Sequence, residues 1–447
     1  MLIAHGRLVT MDVPNRIVDD GALLVQGDTI AAIGPSAELL AAHPQEPVVD
    51  ARGQWVLPGN ICAHTHFYGA FARGMALPGE PLTTFPQILE RLWWRLDKAL
   101  QPEDVRYSAL VCLLDAIRSG TTTLFDHHAS PSCVDGSLDI IAQAVREAGL
   151  RACLCYEVSD RDGPEVARAG LAENGRFIRQ ARRLRDERLS AVSGLHASFT
   201  LSEATLEQAA GLSLSTGCGA HLHLAEDAAD VRRTIELCGM RPAQRLAAHG
   251  LLGSRTIAAH GVHLNEQDIA LLAEREAWVI HNPRSNMNNA VGTAPVEAMQ
   301  AAGVRVGLGN DGFSNDMFAE AKAAYLIHKA AQRSPRAMPA DRVLDMAVSG
   351  NRQLAAMHFR KPMGVLVSGA YADLVLLDYD APTPVTAGNW PWHVIFGLHG
   401  GQVTTTIVGG RVLMRDRVIS HLDEATIHAR ARELARQVWE RAEAAAG

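Results

Sequence analysis

Eight short apolar, β-rich runs recur between residues 55 and 311, each separated from the next by helical sequence. They read "WVLPGNICAHTH", "TTTLFDHH", "RACLCYEV", "LSAVSGLHA", "CGAHLHLAE", "TIAAHGVHL", "AWVIHNP" and "VRVGLGND". Amphipathic stretches such as "SLDIIAQAVREAG" and "EQDIALLAERE" lie between them. Strands buried on both faces of a parallel sheet are near-continuous apolar runs, and these fit that pattern. Eight such strand–helix units predict an α/β protein built on a (β/α)8 TIM barrel over residues 59–363. The longest gap, between the first two runs, holds "FPQILERLWWRLDKAL", long enough for an extra helix or lid.

The two ends have a different texture. Residues 1–58 alternate apolar and polar positions in short runs punctuated by Gly, Asp and Pro. The same texture returns over 364–420, in "GVLVSGAYADLVLLDYD" and "VTTTIVGGRVLMRDRV". The two stretches are expected to build one small β-sandwich domain together, followed by a C-terminal helix over 421–447. A chain of 447 residues has room for this second unit beside a barrel.

Polar residues close every apolar run. In order they are His64 and His66; Asp126, His127 and His128; Tyr156 and Glu157; His196; His221 and His223; His260 and His263; His281 and Asn282; Asn310 and Asp311. In a parallel barrel the C-terminal strand ends converge on one face, where active sites sit. One strand-end histidine is ordinarily a hydrogen-bonded structural residue. A histidine at nearly every strand end points instead to a shared centre.

His64 and His66 are two apart on a strand, so their side chains share a face and can hold one cation. A catalytic zinc takes about three N or O ligands and keeps a position for water. The strand-five histidines and Asp311 are candidates for the remaining ligands. His223 ranks ahead of His221 because Glu226 follows it closely enough to act as a nearby acid or base. Nearly all basic residues are arginine, and no lysine occurs between Lys98 and Lys322. A carboxylated lysine bridging two metals therefore cannot come from strands two to eight, which favours one metal ion.

The segments "HTHFYGAFARG", "HLHLAED", "AAHGVHL", "HNPRSNMNNAVGTAP" and "GLGNDGFSND" together resemble the amidohydrolase superfamily, in the group of cytosine/guanine deaminases and triazine chlorohydrolases. "WWRLDKAL", "DHHASP" and "GNDGFSND" are most similar to SsnA-type aminohydrolases. The resemblance spans almost the whole chain. It implies a single divalent metal, zinc ahead of iron, on His64, His66, His223 and Asp311. It also implies Glu226 as proton shuttle and His260 as the residue that orients or polarises the attacking water.

The activity expected from these residues is hydrolytic deamination of an amino-substituted N-heterocycle: a purine, pterin, pyrimidine or triazine-like ring. Asp311 would take a proton from the attacking water, and Glu226 would protonate the ring nitrogen. His260 would donate to the developing oxygen. Hydrolysis of a cyclic amide or C–Cl bond is the alternative within the same site, and a non-catalytic metal-binding barrel is the rival outside it. Five residues are candidates for substrate contact. Arg73 suits a carbonyl or carboxylate, or else a surface ion pair. Trp93 suits a lid over a flat ring, or else the core. His128 and His196 end strands two and four. Asn282 suits ring polar atoms, or else closure of a turn.

Other classes are disfavoured. A net charge of −7 argues against a general nucleic-acid surface. The H-x-E with P-C-x-x-C pattern of cytidine deaminases, H-E-x-x-H and the phosphate-loop motif are absent. Seven scattered cysteines fit reduced thiols in the cytoplasm. With no signal-peptide pattern and no 18-residue apolar span, neither export nor membrane insertion is expected. A homodimer is the family-level expectation.

Overall fold

A computed structural model of the chain describes residues 1–77 and 79–444. Its centre is parallel. Strands Asn60–Thr65, Thr121–His128, Arg151–Tyr156 and Leu189–Ala191 form one sheet. Strands Ser193–Ala197, Ala220–Leu224, Ile257–His260, Trp278–His281 and Arg305–Leu308 form another. The fourth apolar run supplies both Leu189–Ala191 and Ser193–Ala197. Its break at Val192 passes the chain from one sheet to the other, and a parallel bridge Val158↔Leu195 continues that junction. At the opposite edges Thr65 pairs with Asp311 in parallel. Asn310 N–H donates to the His64 carbonyl at 3.0 Å, and His66 N–H to the Asp311 carbonyl at 3.1 Å. This close approach needs a residue without a side chain: a Cβ on Gly309 would lie 2.8 Å from the His64 carbonyl oxygen.

Helices separate the strands in sequence, as the period switches predict. The segments Thr121–His128, Arg151–Tyr156 and Ala220–Leu224 are buried at every position, as strands covered on both faces are.

The strands of the two chain ends pair with each other. Leu2–Val9, Ile17–Gln26, Thr29–Pro35, Val48–Asp50 and Trp55–Pro58 share a nine-stranded sheet with Leu374–Leu377, Val403–Val408, Arg411–Arg415 and Val418–Ile419. Trp55–Pro58 runs antiparallel to Leu374–Leu377 and joins the halves. The hydrogen bonding of these strands follows one continuous nine-stranded network. Asp373 takes both Nε and Nη2 of the buried Arg151 at the start of the third parallel strand, at 2.6 and 3.1 Å. The pair ties the terminal sheet to the end of the parallel strands remote from the histidines. The C-terminal helix Glu424–Ala444 packs on helix Pro102–Ser119, where Arg118 pairs with Glu424. Among the described residues no helix is long and apolar enough to cross a membrane.

The long first gap folds over the histidine-rich face. Helix Phe85–Ile88 passes through a π-helical turn, Leu89–Trp93, into helix Trp94–Ala99. The π turn carries one more residue per hydrogen-bonded ring than an α turn. Trp93 and Trp94 both reach the cavity beneath.

Candidate metal centre and active site

His64 and His66 leave the first parallel strand one layer apart, with His64 the deeper. Their Nε2 atoms lie 3.3 and 3.0 Å from Asp311 Oδ1. His66 Nε2 lies 3.2 Å from His223 Nε2. The four ligand atoms of His64, His66, His223 and Asp311 all fall within 4.8 Å of one another.

The far side of each ring is already engaged. His66 Nδ1 donates to the His127 carbonyl at 2.5 Å, and His223 Nδ1 to the His196 carbonyl at 3.0 Å. His64 Nδ1 meets His221 Nε2 at 2.8 Å. With their protons on Nδ1, the rings aim lone pairs from Nε2 at one point, and His64 Nε2 is buried with no partner. Ligating histidines are ordinarily fixed from behind in this way. Asp311 uses Oδ1 toward the histidines while Ser285 Oγ holds Oδ2 at 2.5 Å. A buried set of three imidazoles and a carboxylate, each oriented from behind, fits a divalent cation such as zinc.

Without a metal ion the rings differ in charge. Burial drives His64 down to about 3 against the pull of Asp311. Burial also opposes protonation of His66, but the carboxylates of Asp311, Glu157 and Asp126 overcome it and hold that ring up at about 9. Asp311 stays well below the usual carboxylate range: burial works against its charge, and His64 and His66 outweigh burial.

Two acid/base groups face the same point. Glu226 follows the fifth strand, and the N-cap of the next helix is Asp227, which accepts from Ala229 N–H at 2.8 Å. Glu226 is therefore released from capping. Burial, with Asp311 close by, pushes its carboxyl well above the usual range. Asn289 Nδ2 reaches Glu226 Oε1 at 3.4 Å. Glu226 Oε2 stands 3.6 Å from His260 Nε2. His260 Nδ1 donates to Asn286 Oδ1 at 2.9 Å, so the neutral ring presents a lone pair on Nε2. Ala225, His260 and Asp311 carry φ of 49°, 75° and 56°. That region is costly for residues other than glycine and is found where a site demands it.

The chain matches the description "Amidohydrolase family" over residues 55–413 and "Imidazolonepropionase-like composite domain, bacteria" over 21–45. It is 31% identical to a 5-methylthioadenosine/S-adenosylhomocysteine deaminase of Pelotomaculum thermopropionicum, over 97% of this chain and 98% of that one. It is 33% identical to a 5'-deoxyadenosine deaminase of Methanosarcina acetivorans, over 99% of each. Among solved structures, a zinc-bound adenosine deaminase from Xanthomonas campestris superposes with a TM-score of 0.86 at 27% identity, covering 98% of both chains. This chain belongs to the amidohydrolase family. It is a hydrolase acting on carbon–nitrogen bonds.

The amidohydrolase's cleft opens beside the four candidate ligands. His66, His223, Glu226 and Asp311 form its metal side. Phe85, Leu89, Trp93 and Trp94 cover it. Glu157, Arg161 and His196 line the wall. Arg161 stacks over Trp94 at 5.3 Å and pairs with Asp97 and Asp162.

Of the five residues suggested for substrate contact, Trp93 and His196 line the cleft. Arg73 is exposed and is not part of the cleft lining; it follows the 3-10 turn Phe67–Ala72, in which Phe67 and Phe71 are buried. His128 is buried, with Nε2 on Ser130 Oγ at 2.9 Å. Asn282 is buried at the seam below Gly309. His221 stands behind His64 rather than beside the other ligand atoms. His263 Nε2 donates to the Val291 carbonyl at 2.9 Å.

Pattern reasoning assigned no role to His127, Glu157, Ser285 or Asn289, and it offered Asn286 only as a reader of ring polar atoms or a turn residue. His127 and Glu157 did stand among the strand-end residues. A second group, His66, His127, Glu157 and His223, also brings its ligand atoms within 4.8 Å. It shares two histidines with the first. His127 Nε2 is spent on the Leu195 and His221 carbonyls at 3.1 and 3.0 Å, and Nδ1 on Glu157 Oε2 at 3.0 Å. His127 therefore presents donors, not lone pairs, which favours the first group as the metal centre.

Proposed function

We propose that this amidohydrolase deaminates an amino-substituted N-heterocycle by hydrolysis, with one zinc ion held by His64, His66, His223 and Asp311. The observation that carries the reading is the convergence of those four ligand atoms beside Glu226 and His260 in a covered cleft. The deaminase names of the relatives support it. We read the two parallel sheets, bridged at both junctions, as one closed (β/α)8 barrel with its catalytic face toward the lid.

A divalent ion at this site supplies a Lewis acid that acidifies water. The protein supplies proton traffic and placement. Asp311 Oδ2 and His260 Nε2 are the bases that face the attacking water. Glu226, held protonated by its surroundings, gives its proton to the ring nitrogen and regains one for the departing amine. Once protonated, His260 donates to the oxygen that gains charge. The lid with Trp93 and Trp94 excludes bulk water and offers flat faces to a ring.

The test is ammonia release from metal-analysed protein over purines, pterins, pyrimidines and triazines. Glu226→Gln is expected to keep the metal and lose at least about 100-fold in turnover. No ammonia from any ring, or an unaffected Glu226→Gln, would overturn the reading.

A further inference from the structure

Glu157 and His196 face the cleft without bonding each other. Glu157 Oε2 and His127 Nδ1 share one proton at 3.0 Å. Whichever of the two holds it, the proton lies on the Oε2 side, so Glu157 Oε1 is an acceptor in both cases. His196 Nδ1 meets Thr200 Oγ1 at 2.7 Å. Thr200 spends its own hydroxyl proton on the Ala197 carbonyl at 3.0 Å. His196 Nδ1 is therefore the donor, and Nε2 is left with a lone pair. Nε2 and Glu157 Oε1 stand 3.9 Å apart, too far for a bond between them. The cation on the same wall, Arg161, is committed to Asp97 and Asp162. Two buried acceptors thus look into the cavity, and among the described residues no donor stands between them. A nitrogen carrying two hydrogens, about 2.9 Å from each, would satisfy both.

The pair lies on the far side of the metal ligands from the acids. The ligand oxygen of Glu157 is within 4.8 Å of the ligand nitrogens of His66 and His223. Glu226 and His260 face the other way, toward Asp311. The amine that leaves must be near the acid that protonates it, so the donor read by Glu157 and His196 is a second group on the same ring.

We infer that Glu157 and His196 are specificity-determining residues that select rings bearing a second amino group, or a ring N–H, beside the reacting amidine carbon. Diamino and 2-amino-oxo heterocycles have this edge. A plain adenine ring turns C–H and ring-nitrogen lone pairs toward the two acceptors, which leaves both unpaired and repelled. This inference rests on the aminohydrolase reading and narrows its substrate class.

Matched rings with the same leaving amine test it: 2,6-diaminopurine against adenine, and 2,4-diaminopyrimidine against 4-aminopyrimidine. The wild type is expected to favour the diamino member about 10- to 100-fold in kcat/KM. Glu157→Gln, which can turn its amide N–H2 into the cleft, is expected to bring that ratio close to one with metal content unchanged. Calorimetric binding of 2-aminopurine against purine is expected to show the same preference in the wild type and its loss in the variant. If both members fall equally, or the wild type prefers the rings without a second donor, the inference is overturned. If Glu157→Gln does not fold, His196→Leu decides by the same ratio. Ammonia from adenine rings without a diamino preference would refute this inference alone. Ammonia from neither class would refute the aminohydrolase reading.

Discussion

Asn286 is the residue through which the proton arrangement of His260 can be tested. Its Oδ1 accepts from His260 Nδ1 at 2.9 Å, which fixes the lone pair of Nε2 toward Glu226. Both side chains are fully buried. Replacing Asn286 by Leu keeps bulk and removes the acceptor. The ring must then leave a buried N–H unmet or move its proton to Nε2, which reverses its role in the site. A lost partner of this kind costs about 1–3 kcal/mol. At about 1.4 kcal/mol per decade this is a fall of roughly 5- to 150-fold in kcat. The metal ligands do not touch Asn286, so metal content is expected to stay at the wild-type level. Asn286→Asp keeps an acceptor and replaces an amide nitrogen that has no partner. It is expected to retain more activity than the Leu variant. Its carboxylate also raises the His260 pKa, which burial lowers, so the acidic limb of the rate profile moves to higher pH. Steady-state kinetics from pH 5 to 9 with metal analysis of both variants is the assay. An Asn286→Leu enzyme with full metal and wild-type kcat would refute this account of His260.

Three further outcomes are expected. In the metal-free protein His66 is protonated below about 9, so a metal must displace that proton; apparent zinc affinity should fall about tenfold per pH unit below 9. Competition with a chelator at several pH values checks this, and a flat dependence contradicts it. Asp126 is buried and held at about 7 chiefly by burial, against the Phe67 N–H that it accepts at 2.8 Å. Its folded pKa lies above the unfolded value, so the folded state binds the proton more tightly and stability is lost as pH rises from about 4 to 7. Asp126→Asn should match the wild-type Tm at or below about pH 4 and exceed it increasingly up to about pH 7, and a difference that does not change with pH would be inconsistent with this sign. Trp94 touches Arg161 at 5.3 Å and His196 at 6.1 Å in the cleft wall. Trp94→Ala should raise KM by about 2- to 12-fold, from the roughly 0.5–1.5 kcal/mol of one aromatic contact, and an unchanged KM would remove Trp94 from the substrate wall.

The parallel centre was legible because burial on both faces demands apolar residues, and every departure from that rule marked a strand end. The four residues whose ligand atoms lie within 4.8 Å of one another, His64, His66, His223 and Asp311, follow the same rule: each interrupts or closes an apolar run. What stands behind them was not legible. His221 and His223 lie on one face of one strand, and only depth separates the ligand from its support. His127 and Glu157 are 30 residues apart in the chain, and Asn286 is 26 from His260. Each pairing depends on which loops meet over the strand ends, and no period in the sequence encodes that. Trp93 and Trp94 on a helix suit either a lid or the core, and sequence spacing does not decide between them. The π turn through Leu89–Trp93 brings both to the cleft.

The same residues show why local pattern stops at the site. Ala225, His260 and Asp311 adopt backbone conformations that their side chains disfavour, at about 1–3 kcal/mol each. Sequence propensity would place glycine or asparagine there. The conformations persist because tertiary bonds fix them. Ala225 N–H donates to Asp230 Oδ2 at 2.7 Å. Asp311 N–H donates to the His64 carbonyl at 3.1 Å, and Thr65 Oγ1 to the Asp311 carbonyl at 3.0 Å. Each strained residue either is an acid/base group or stands directly before one. The left-handed turn at Ala225 sends Glu226 toward the metal ligands instead of along the helix that Asp227 caps. The turn at Asp311 places its carboxylate against rings delivered by a strand more than 200 residues earlier in the chain. Of the fourteen described non-glycine residues with positive φ, these three stand at the centre where the proposed proton transfers occur.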